Sequence, residues 1–169
     1  MAIEVLAQLV VTGPADEVEA FLGGRSVREW KLDAFFAGLT PEQQRAFLEI
    51  AAAATLVDGK LSDRESAWLD RRRAEAKGRD VVDAAIATAT EVLPPHDRPD
   101  ELRAFIAQRA ALLATDEDRG RAFFAAAALL ARSGAGDAPA TTRLFGEAMG
   151  LSGEAIASTE ELVAASATR

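Results

Sequence analysis

The chain has no cysteine, which excludes disulfides and thiolate metal or redox sites and leaves the redox compartment open. Aromatic residues are scarce, at 6% of 169 residues, so the 49% hydrophobic content falls mainly on Ala, Leu and Val. Alanine is the best helix former and lets helices approach closely. Basic residues are in deficit: the formal net charge is -8 and the isoelectric point about 4.8. A surface of that sign repels phosphate backbones, so no nucleic-acid partner is expected, whereas divalent cations and basic proteins are favoured. The longest apolar run, AFFAAAALLA at 122–131, falls well short of the roughly 20 residues a membrane span needs. The start, MAIEVLAQLVVTGP, has no basic region ahead of its apolar run and carries Glu4 within it, unlike a secretory signal. A cytoplasmic protein without a transmembrane segment is expected.

Chemistry-bearing motifs are equally sparse. There is no glycine-rich phosphate loop, no HExxH pair and no nucleophile elbow. The single histidine, His96, stands beside Asp97 in PPHDRP, a pairing able to tune a base or ligand, but a proline-rich loop without a serine nucleophile reads as an exposed connection. GGR at 23–25 lacks the helix and lysine of a phosphate loop. An enzyme is therefore not expected.

What the sequence does hold is the punctuation of a helical array, with strand-like alternation nowhere sustained. A helix over about 2–11 stops at Gly13-Pro14, and a short one follows to about 22, before Gly23-Gly24. Ser26 and Glu29 form a capping box for a helix running to Gly38, and Thr40, Pro41 and Gln43 start another over about 41–57. That helix is apolar nearly all round at its C-terminal end and belongs in the centre. Ser62 begins a helix ending near Lys77-Gly78, and Asp80 caps one to about Leu93. After the PPHDRP loop, helices are expected at about 99–114, 116–132, 138–149 and 153–166.

RAFLEIAAAATLVDGKLSD at 45–63 parallels RAFFAAAALLARSGAGDAP at 121–139: an Ala-rich helix, a Gly-containing turn and a new helix start. Matching Asp58-Gly59 to Ser133-Gly134 sets Ser62 against Asp137 and Glu65 against Ala140, with one insertion between helices and turns. Small side chains on both Ala-rich helices predict that the two pack together.

The stretch LVDGKLSDRE at 56–65 carries the strongest hint of chemistry. With Gly59 at position 6 of a calcium-binding EF-hand loop, Asp58 takes position 5, Ser62 position 9 and Glu65 position 12. Positions 1 and 3 are then Ala54 and Leu56, which cannot supply oxygen ligands, so a working EF-hand is rejected. The structural reading explains each residue: Asp58-Gly59 ends one helix, Ser62 and Glu65 box the next, and Leu61 staples onto it. Elsewhere, RRRAEAKGR at 71–79 reads as a solvated helix face paired with Asp70 and Glu75. Asp116, Glu117 and Asp118 after Thr115 read as an acidic helix start. Trp30, Trp68, Phe35, Phe36, Phe47, Phe105, Phe123, Phe124 and Phe145 read as packing residues.

A long Ala-rich helix ending in an acidic-Gly turn and then Ser-x-x-Glu resembles the tellurite-resistance TerB-like family, best over residues 44–70. The resemblance implies an all-α domain linked to metal or stress responses, binding divalent cations through clustered acids. Carried over by residue, Asp58, Gly59 and Glu65 stand at that family's acidic-Gly and downstream Glu positions. Ser133 and Ala140 depart from it in the second repeat, so at most one site would survive, completed by acids from elsewhere in the fold.

The expected protein is thus all-α, an array of about 8–10 helices in which two pseudo-repeated units pack through Ala-rich central helices. It forms a single domain over 1–169, with 1–38 as a helical extension and 39–169 as the TerB-like core. The expected function is a non-enzymatic stress-response domain binding a divalent cation weakly, through Asp58 and Glu65, or binding a protein partner. The alternative is a metal-free structural or regulatory interaction module, and the partner and oligomeric state are left open.

Overall fold

The computed structural model describes residues 27–58, 60–77, 80–91, 98–133 and 138–167, with the side chains of 27–31, 74, 75, 133, 166 and 167 excepted. Every regular element among them is helical. The chain divides into two units, Met1–Gly38 and Leu39–Arg169. In the first lies α1 (Val27–Gly38), in which Phe35 and Phe36 are buried. The two helices expected before residue 23, the Ser26 cap, Gly59 and His96 lie outside the described residues, as does most of the turn that parallels Asp58-Gly59.

The second unit holds α2 (Pro41–Thr55), α3 (Asp63–Glu75), α4 (Val81–Thr90), α5 (Pro99–Ala110), α6 (Asp116–Ser133), α7 (Ala138–Ala148) and α8 (Gly153–Ala167). Its helix starts follow from local chemistry. Thr40 caps α2 with a reciprocal box: the Gln43 amide donates to Thr40 Oγ1 at 3.2 Å, and the Thr40 amide donates to Gln43 Oε1 at 3.1 Å. Pro41 opens the helix where its missing N–H costs nothing. Thr115 Oγ1 accepts from the Asp118 amide at 3.0 Å and Ser152 Oγ from the Ala155 amide at 3.2 Å, starting α6 and α8. Asp80 stands at the N-cap of α4 but with φ 60° and no side-chain cap bond, so its expected capping is not made. The left-handed backbone there does not present the carboxylate to the first-turn amides.

The core is built around α2 and α6, which pack against each other. From Ala46 through Thr55 every residue of α2 is buried, and α6 buries Ala122, Phe123, Ala125, Ala126, Ala127, Leu129 and Leu130. Around them, α2 also packs on α4 and α5, while α6 packs on α7 and α8, and α5 reaches α7. Alanine-rich surfaces permit this density because small side chains let helix axes close in. Phe124 is half-buried, on the edge of the core rather than within it.

The C-terminal helices meet most tightly at Gly146. A Cβ there would lie 2.6 Å from Ile156 Cγ1 and 3.1 Å from Phe123 Cζ, so α7 can approach α8 and α6 only without a side chain. α7 then ends in a Schellman turn. Gly150, at φ +75°, allows the Leu151 amide to reach the Gly146 carbonyl at 3.1 Å and the Gly150 amide to reach that of Glu147 at 3.0 Å.

α3 packs on α4 and meets α2 through Phe47 and Trp68, whose ring centroids are 6.1 Å apart. Glu65, Trp68, Leu69 and Arg72 share one face at helical spacing. Arg72 is accordingly 1% exposed, with its guanidinium 5.1 Å from the Trp68 ring centroid, instead of lying on a solvated face. Arg73 does face solvent, pairing with Asp70 and, at 2.6 Å, with Asp83 of α4. The hydrogen bond to Asp83 is the main cause holding its guanidinium above the usual arginine value, with Asp70 adding to it and partial burial opposing.

Candidate functional site

Asp58 and Glu65 bracket the turn between α2 and α3, and each spends its oxygens locally. Asp58 is exposed, and its Oδ1 accepts the Lys60 amide at 2.9 Å, a turn two residues long that the Asp side chain closes by itself. Glu65 is only 2% exposed. Its Oε2 accepts from both the Ser62 amide, at 2.8 Å, and the Ser62 hydroxyl, at 2.7 Å, while Ser62 Oγ accepts the Glu65 amide at 3.3 Å. The capping box expected from the Ser-x-x-Glu spacing is therefore complete. Leu61, expected to staple onto the helix, is 41% exposed.

One feature of this turn exceeds what capping needs. Glu65 Oε1 is buried and has no hydrogen-bond partner among the described residues. The described residues bring no third His, Cys, Asp or Glu together with others in a group able to hold a metal ion. Nor do the acids that open α6 gather into one: Asp116 pairs with Arg119, and Glu117 with Arg121, along their own helix.

Two other places gather functional groups, and neither stands out in the sequence. The first centres on Glu49, in the middle of the apolar part of α2 and 4% exposed. Its Oε1 accepts from Arg45 Nε at 2.9 Å, one turn back, and its Oε2 from Arg109 Nε at 2.7 Å, on α5. The Arg109 guanidinium also stacks on Phe105, 3.7 Å from the ring centroid, and bonds Gln108 Oε1 at 3.1 Å. A pocket of about 310 Å³ opens beside this cluster, walled by Glu42, Arg45, Ala46, Glu49, Gln108, Arg109 and Leu112. The available signal was a charged residue inside a helix segment otherwise apolar all round, which implies a buried partner. Its partner, 60 residues away, has no local mark.

The second is a groove of about 710 Å³ formed by α6, α7 and α8, with Arg103 of α5 at its edge. Its floor and walls carry small or apolar side chains, among them Ala127, Ala131, Leu144, Val163 and Ala164. Charged groups line it as well: Arg103 pairs with Glu147 at 3.2 Å, while Arg143 on α7 and Glu160 on α8 make no ion pair among the described residues.

Comparison with known proteins finds no matching family model, no similar curated sequence and no similar solved structure. No described helix is long and apolar enough to cross a membrane.

Proposed function

We propose that this chain is a non-enzymatic, TerB-like helical domain in stress response, whose work is to bind a partner protein. The bound element is an amphipathic helix of that partner, laid into the groove between α6, α7 and α8. The observation that carries this reading is the groove's lining: alanines from three helices leave room for a second helix to approach closely, as in helix-in-groove recognition. The charged lining residues supply the orientation. Arg143 on α7 and Glu160 on α8, outside the Arg103–Glu147 pair, call for an apolar stripe flanked by an acid on one edge and a base on the other. Selection from a helical-peptide library tests it. Enriched peptides should carry that pattern and should lose binding to the Ala131→Glu and Ala164→Glu variants, whose side chains block the groove without touching the core. Failure to enrich any peptide, or equal binding to the blocked variants, contradicts the reading.

A second reading, a weak divalent-cation site at Asp58 and Glu65, is favoured by one observation, the unpartnered Oε1 of the buried Glu65. Against it stands the use of Glu65 Oε2 and Asp58 Oδ1 by neighbouring amides. Calorimetric titration with calcium, magnesium, manganese and zinc separates the two. The partner-binding account expects no heat and no rise in melting temperature at millimolar metal. Saturable binding that both Asp58→Ala and Glu65→Ala abolish would establish the cation site instead.

A further inference from the structure

We infer that the pocket between α2 and α5 is a binding site for a small organic carboxylate. The argument begins with how its two arginines are held. Arg45 and Arg109 each donate Nε to a different oxygen of the same buried carboxylate, Glu49. Sharing one anchor takes a single donor, Nε, from each guanidinium. Arg45 makes no other hydrogen bond among the described residues, so both of its terminal nitrogens remain available although its side chain is 59% exposed. Arg109 spends Nη1 on Gln108 and on the Phe105 carbonyl and keeps Nη2. Two guanidiniums held on one buried carboxylate leave donors unspent beside an open cavity.

A purely structural pair would need one arginine. Arg109 alone joins α2 to α5 through Glu49, whereas Arg45 lies on the same helix as Glu49 and bridges nothing. Both arginines line the cavity beside Glu49, and a ligand held there takes up the donors that the ion pairs leave. Planar, bidentate donors suit a carboxylate or a phosphate. The neighbouring side chains decide between them. Glu42 lines the same cavity, on the face of α2 that carries Arg45 and Glu49, and its charge opposes a dianion more than a monoanion. Leu112, 43% exposed, offers an apolar wall to the ligand's tail. A short-chain aliphatic monocarboxylate meets all of these features.

The test is a titration of the full chain with sodium isovalerate, followed by backbone amide resonances, beside inorganic phosphate and sodium chloride at matched ionic strength. Isovalerate should give saturable shifts confined to residues near 42–49 and 108–112, with a Kd on the order of 1 mM. Arg45→Ala should weaken binding about tenfold, the effect of losing a charge-assisted contact. Arg45→Lys, which keeps the charge but not the fork, should weaken it as well while leaving the melting temperature near that of the parent. Shifts no larger than those of chloride, tighter binding of phosphate than of isovalerate, or an affinity unchanged in both Arg45 variants would overturn the assignment.

Discussion

Ser62 and Glu65 exchange three hydrogen bonds at the start of α3, and this local economy decides how the most suggestive stretch of the chain should be understood. A carboxylate oxygen that takes two donors from one serine is committed to the helix start. Ser62→Ala should therefore cost about 1 kcal/mol, the usual penalty for a lost cap, measurable as a lower urea midpoint with unchanged slope. Such residue-level features were legible because capping acts over three or four positions of chain. Thr40 with Gln43, Thr115 and Ser152 could be read for the same reason. Arg72 could not: three adjacent arginines look alike in sequence, and only the packing of α3 on its Trp68 face buries the middle one.

Between elements, contacts depend on size and on charge placed far apart in sequence. Gly146 is where α7 closes on α8, and Gly146→Ala would press a methyl into Ile156 and Phe123. Alanine gains up to about 1 kcal/mol in helix propensity over glycine, but overpacking typically costs about 1–3 kcal/mol, so a net loss of stability is expected in thermal unfolding. The Glu49 cluster ties α2 to α5 by a different means. Glu49→Gln keeps the shape and removes the charge from between two guanidiniums, which should lower stability by about 1–3 kcal/mol in denaturant titration. Helix existence and the meeting of the two Ala-rich helices were legible from composition and periodicity. The groove and the Glu49 pocket were not, because each is assembled from separate helices whose facing sides only the fold defines.

For the whole molecule, a chain of net charge -8 sets arginines beside glutamates, among small or apolar side chains, in both recessions. An acidic surface with local basic points favours partners that bring acids to defined positions while disfavouring polyanions. The partner-binding account makes the groove the functional face, with the α2–α3 turn serving as scaffold. Blocking the groove should leave folding intact, since Ala131 and Ala164 are exposed. The most direct measurement is a fluorescence-anisotropy titration of a selected amphipathic helical peptide against the parent chain and the Ala131→Glu, Ala164→Glu double variant. The account predicts saturable binding to the parent and at least about a tenfold loss in the variant, with melting temperature unchanged. Equal affinity for both proteins would contradict it.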